Sequence, residues 1–192
     1  MASVMLAGSR HISSLPAPAS EKVRELMNQG TWFLVGDAPG VDCAFQALLA
    51  TAQYKRVVVF TALDSARHNF GGWEVRCIDS GLKSKGAAMH TAKDRQMVRN
   101  AESGLVVWDG NSPGTLANVI DFVDEEKPCL VWSPADDLLW TMDSPQSLEK
   151  WTAAYPEPTA EARTRLSRWS KRESRKIATS PESMFPELGH SA

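Results

Sequence analysis

Cysteine is scarce. Only Cys43, Cys77 and Cys129 occur among 192 residues, and no pair has CxxC spacing. An odd, scattered set excludes a disulfide framework or a cysteine-ligated zinc site, and it fits reduced thiols in a cytoplasmic setting. Cys43 and Cys129 stand in apolar stretches and read as core fillers. The histidines (His11, His68, His90 and His190) share no metal-ligand spacing, so no metal is expected. No apolar run approaches the roughly 20 residues of a membrane span, and MASVMLAGSR lacks the basic leader of a signal peptide. Membrane association is not expected. A dominant charge of one sign is also missing: the net charge is −2, which excludes a global pull toward nucleic acid. Neither GxGxxG nor GxxxxGK[ST] is found, which disfavours a standard dinucleotide or P-loop site, and no cofactor is expected.

What is present is an alternation. Short apolar runs at Val4–Ala7, Trp32–Val35, Val57–Phe60, Trp73–Ile78, Leu105–Trp108 and Cys129–Trp132 read as strands. Between them, residues 19–28, 41–53, 91–100 and 116–123 carry apolar side chains at helical spacing. Continuous apolar strands alternating with helices predict an α/β fold. It is Rossmann-like and doubly wound, with a mostly parallel sheet, helices on both faces and right-handed crossovers. After Ser133 the composition shifts and Pro134, Pro145, Pro156 and Pro158 punctuate the chain. The expected division is a Rossmann-like domain over 1–133 and a helical extension over 134–192. The extension should hold a short helix at 147–154, a longer one at 161–178 and a frayed tail from 180. Residues 159–178 hold seven Arg or Lys against two Glu, so the local balance is +5 and the remainder is −7.

Four strands run into polar knots, which a parallel sheet places on one edge. They are Gly8-Ser9-Arg10, Gly36-Asp37-Ala38-Pro39-Gly40-Val41-Asp42, Thr61 with residues 65–73, and Asp109–Thr115. Gly40 and Gly114 precede helical segments, where free backbone N–H groups attract phosphate or carboxylate. Thr115 is suited to cap its helix or to bond a phosphate oxygen, and Arg10 is a bidentate anion donor. Asp37, Asp42 and Asp109 suit ribose hydroxyls, a base edge or general-base work, and with Lys93 they are the candidate catalytic groups. The expected ligand contacts are Gly8, Ser9, Arg10, Gly36, Asp37, Gly40, Asp42, Lys93, Arg95, Asp109, Gly110, Ser112, Gly114, Thr115 and Asn118. Arg67, Asn69 and Trp73 belong to a glycine-rich loop expected to close over it. Trp73 and Trp108 are candidates to stack a base, with core packing the stronger expectation for Trp108.

GSR at 8–10, GDAPGVD at 36–42, KDRQM at 93–97 and WDGNSPGT at 108–115 together resemble the SLOG superfamily over residues 3–133. The resemblance is closest to its small bacterial nucleotide-binding-like branch, where an RxNxGGW-like stretch recurs, here RHNFGGW at 67–73. That superfamily includes the LOG-type phosphoribohydrolases and the DprA/Smf DNA-processing proteins. The resemblance implies a Rossmann-like domain that holds a nucleotide or nucleotide derivative, with phosphate on Gly114-Thr115, in a homo-oligomer such as a dimer. LOG-type enzymes cleave the N-glycosidic bond of nucleoside monophosphates with an R-K-x-x-M motif and a glutamate three residues after Gly-Thr. Here Lys93 stands at the arginine position and Asn118 at the glutamate position. An oxocarbenium-like cleavage needs a carboxylate to stabilise charge or activate water, and Asn118 does neither as a base.

The first expectation is therefore a sensor or binding module for a small nucleotide derivative. A nucleoside-phosphate N-glycosidase is the alternative. The basic helix offers a third reading, contact with nucleic acid through Arg163, Arg165, Arg168, Lys171, Arg172, Arg175 and Lys176. Glu161 and Glu173 interrupt that run, so docking of the basic face on the acidic core or on a second subunit is preferred.

Overall fold

The alternation of side chains along buried strands sends every second residue to the opposite face of a sheet. Both faces are apolar here. The computed structural model describes residues 2–78 and 87–173. Strands β1 (Ser3–Gly8), β2 (Trp32–Gly36), β3 (Val57–Thr61), β4 (Glu74–Cys77), β5 (Ser103–Val107), β6 (Cys129–Trp132) and β7 (Leu139–Met142) form one sheet. Its order is β4-β3-β2-β1-β5-β6-β7. Every neighbouring pair is parallel except β6 with β7. This is the expected Rossmann-like architecture.

On one face, Val4, Leu6, Phe33, Val35, Val57 and Val59 pack under helices α1 (Ala17–Asn28) and α2 (Val41–Thr51). On the other, Met5, Leu34, Phe60, Val106 and Trp108 pack under α3 (Ala87–Asn100), α4 (Pro113–Asp124) and α5 (Pro145–Thr152). Full burial of each such large side chain contributes about 1.5–3 kcal/mol, which offsets the entropy of ordering the chain. From β1 the sheet is wound outward through β2 and β3 to β4, then the chain returns to β5 on the other side of β1. The β1/β5 boundary is thus the switch point above which doubly wound folds form a crevice.

Residues beyond 133 add β7 to the sheet, and α6 (Pro156–Glu173) packs along α4. Strand β7 corrects the expectation that β6 is the last strand. Of its residues only Met142 is buried while Trp140 is 41% exposed, as suits an edge strand; its signal in the sequence is the short apolar run Leu138-Leu139-Trp140, set among the acidic and proline residues of 134–145. Helices α4, α5 and α6 are among those that begin earlier than their spacing suggests. Pro113 and Pro156 open α4 and α6, where a missing N–H costs nothing and the fixed φ suits a first turn. Cys129 is in the core, whereas Cys43 is only half-buried and bonds the Ala38 carbonyl at 3.3 Å. The expected tail from 180, and the end of the basic helix at Arg175 and Lys176, lie outside the described residues. No described helix is long and apolar enough to cross a membrane.

Candidate functional site

Above the β1/β5 boundary lies a cleft of about 580 Å³. Strand ends supply Gly8 and Gly36 to its floor, the β1–α1 loop supplies Arg10, and the β5–α4 connection supplies Asp109 and Ser112. Helix α3 contributes His90, Lys93 and Arg95; the first turns of α4 contribute Gly114, Thr115 and Asn118. The knots of β1, β2 and β5 therefore meet, together with Arg67 from the loop after β3.

Helix α4 begins with Ser112 as its cap, whose Oγ accepts from the Thr115 N–H at 3.4 Å and from the Thr115 hydroxyl at 3.0 Å. Ser112, rather than Thr115, caps because Pro113 starts the helix and leaves Gly114 and Thr115 within its first turn. Asp109 shapes the preceding turn by accepting from the N–H groups of Asn111 and Ser112, at 3.0 and 2.8 Å. Behind them sits fully buried Ser9. Its Oγ accepts from the Asp109 N–H at 3.1 Å and donates to Thr115 Oγ1 at 3.4 Å, which ties the end of β1 to the start of α4.

The floor is polar and crowded. Lys93 is buried, with its ammonium 2.9 Å from Asp94 Oδ1. Burial alone would lower its pKa, but the carboxylates of Asp94 and Asp42 outweigh burial and raise it. Asp42 accepts from the Ala38 N–H at 3.2 Å, and burial pushes its pKa up to about 6. Gly36 is required beneath this pair, since a Cβ there would collide with Asp42 Oδ2 and stand 2.7 Å from Lys93 Nζ. Gly40 has φ 85° and caps α2; a side chain there would meet the Arg10 carbonyl oxygen at 2.5 Å.

Asp37 and the loop residues have other employment. Asp37 is fully buried and accepts from Thr61 Oγ1 at 2.9 Å, from the Arg67 N–H at 3.1 Å and from Arg67 Nη2 at 2.8 Å. Burial pulls its pKa upward, but the bonds from Arg67 and Thr61 prevail and hold the carboxyl below its ordinary range. A carboxylate so fully engaged is a poor base. Asn69 bonds the Trp73 N–H and carbonyl at 2.9 and 2.8 Å, closing its own loop. Trp73 is buried in the α1/α2 layer and donates to the Tyr54 carbonyl at 2.8 Å, while Trp108 is fully buried in the opposite layer. Both indoles pack in the core rather than facing the cleft. Gly110, at φ 86°, lies in the turn outside the lining.

Sequence reasoning passed over His90 as a site residue and gave Arg165 only to contact with nucleic acid, yet both line the cleft. His90 is half-buried; burial and then the nearby Arg10, Lys93 and Arg67 charges lower its pKa. No local motif marks either residue, since each is brought in by the docking of its helix. Among the described residues, no group of three or more His, Cys, Asp and Glu is arranged to hold a metal ion.

The fold is similar to that of DNA processing protein A. The solved structure of that protein from Helicobacter pylori matches with a TM-score of 0.52 at 14% identity, covering 87% of this chain and 81% of that one. Likeness at this identity is one of fold. No protein-family model matches the chain, and no curated protein matches it. A second, shallower groove of about 290 Å³ adjoins the cleft at Asp109, lined by Ile12, Leu15, Trp132 and Pro134.

Proposed function

We propose that the cleft binds a nucleotide or nucleotide-derived small molecule, as a sensing or binding module of the SLOG type. The phosphate sits against the first turn of α4, and the adjoining apolar groove receives the base. The observation that carries this reading is the convergence of Arg10, Arg67, Lys93 and Arg95 on one concave site where α4 presents its N-terminus. Binding without cleavage is favoured because Asn118 lies where a carboxylate would serve glycosidic cleavage, and because Asp37 is engaged by Arg67. Asp42 remains as the carboxylate for the alternative, an N-glycosidase.

The test is a thermal-shift and calorimetric screen against nucleoside mono- and diphosphates, with each hit incubated and analysed for free base. A ligand selective for the native state raises its stability by mass action. Arg10→Ala should weaken binding about tenfold or more, the worth of a charged hydrogen bond. Stabilisation by none of the compounds would overturn the reading, and release of base would turn it into the enzyme alternative.

A pH dependence follows from the floor. Protonation of Asp42, near pH 6, removes a negative charge from the cleft, and protonation of His90 adds a positive one. Affinity for sulfate, whose charge is fixed over this range, should therefore rise as pH falls from about 8 to 5. Asp42→Asn should flatten most of the rise. An affinity that is constant or falls on acidification would contradict this electrostatic account.

The second reading is contact with nucleic acid. It is favoured by the similarity to DNA processing protein A, whose structure was described for its single-stranded DNA binding. It predicts affinity for an unstructured oligonucleotide that falls steeply with salt, whereas a small ligand enclosed in the cleft responds weakly.

A further inference from the structure

Arg165 lies on α6, outside the stretch that resembles SLOG proteins, yet it reaches the cleft. A Cβ built on Gly114 would stand 3.2 Å from Arg165 Nη1, so the guanidinium rests directly over the first turn of α4. That turn is the positive end of the α4 dipole, where a cation is unfavourable unless an anion comes between them. The neighbouring counter-charge is Glu161, 3.3 Å away on the same helix, and its side chain is 58% exposed. An exposed i,i+4 pair of this kind is worth little. The position of Arg165 is nevertheless well determined by its flanks. Ala162 is fully buried and Leu166 packs against the same core layer, fixing α6 along α4.

A second feature points into the same space. Asn118 is 8% exposed, one turn along α4, and lines the cleft. Its side-chain amide makes no hydrogen bond to another described residue. An amide that lines the cleft without a protein partner keeps a donor and an acceptor available to a bound polar group.

We propose that Arg165 is a phosphate-binding residue, so that α6 supplies the outer half of an anion seat whose inner half is the Gly114-Thr115 turn. Asn118 takes the next polar group of the ligand, such as a sugar hydroxyl. The inference rests on the nucleotide reading above and adds a part to it: the extension after 133 completes the site. Glycine at 114 leaves the space between the guanidinium and the turn open, and a methyl group there would press on the guanidinium. The ligand class is a phosphate monoester or a terminal phosphoryl group, which offers a guanidinium two oxygens.

The probe is inorganic phosphate, titrated into the full chain and followed by phosphorus NMR line broadening. Arg165→Ala should weaken binding about tenfold or more, Arg165→Lys should recover part of the loss, and Arg163→Ala on the exposed side of α6 should change nothing. Melting curves of the variants check that α6 stays docked; Arg165 is partly exposed, so its removal should leave the melting temperature nearly unchanged. If Arg165→Ala binds phosphate like the wild type while Arg10→Ala is weakened, the role of α6 is overturned and the nucleotide reading survives. If the wild type binds no phosphate, both fall. Equal losses from Arg163→Ala and Arg165→Ala would also overturn it, as the effect would then be one of general charge.

Discussion

Replacing Asp37 by alanine is expected to destabilise the protein by about 3–5 kcal/mol, read as a lower urea midpoint at unchanged slope. The carboxylate is fully buried and joins three segments: its own β2–α2 loop, the end of β3 at Thr61, and the loop after β3 at Arg67. Its removal strands the Arg67 guanidinium, of which only 29% of the side chain is exposed, without its counter-charge. Asp37→Asn keeps the shape and the Thr61 bond but loses the charge, so it should fall between the two. The bonds from Arg67 and Thr61 hold the native pKa of Asp37 below the ordinary carboxylate value. Its contribution is therefore complete above pH about 4 and is lost as pH falls through the lower native value. The wild type should show this acid arm and Asp37→Ala should lack it. A cost under about 1 kcal/mol would mean that Arg67 finds another partner and that the loop is held by other contacts.

Gly36→Ala should disturb both fold and site. The added methyl group would enter the space occupied by the Asp42 carboxylate and the Lys93 ammonium. Overpacking of a filled interior costs about 1–3 kcal/mol, and here the displaced groups are charged and buried. Lys93 is the cation at the floor of the cleft, so anion affinity should drop about tenfold to a hundredfold, the range for a lost charge-assisted bond. Calorimetry of phosphate binding, beside a denaturation curve, separates the two effects. Unchanged affinity in a destabilised variant would show that Lys93 neutralises Asp42 and Asp94 without serving the ligand.

The proline-opened helices illustrate what the pattern of residues conceals. Read along the chain, Pro113 and Pro156 look like interruptions, and Thr115 looks like a cap. In the fold the prolines are the first helical residues and Ser112 is the cap, which moves Gly114 and Thr115 into the helix and turns their face toward the cleft. Strand β7 was hidden for a different reason, since its apolar run Leu138-Leu139-Trp140 is short and stands between acidic residues. The roles of Asn69 and Trp73 were equally hidden. Their glycine-rich loop has the composition of a lid, yet Asn69 closes the loop on itself and Trp73 anchors it in the core.

By itself the sequence determined the layered α/β architecture, the parallel central strands and the gathering of polar knots on one sheet edge. These follow from hydrophobic periodicity and chain-turning residues, which are local signals that each segment carries alone. Only the tertiary structure decided which of the polar residues face one another. Asp37 was drawn away from the cleft by Arg67, thirty residues along the chain, and Asp42 was set beside Lys93 across the floor. Arg165 was brought over α4 by the packing of α6. Such choices depend on burial and charge pairing between segments far apart in the chain, and no spacing within one segment encodes them.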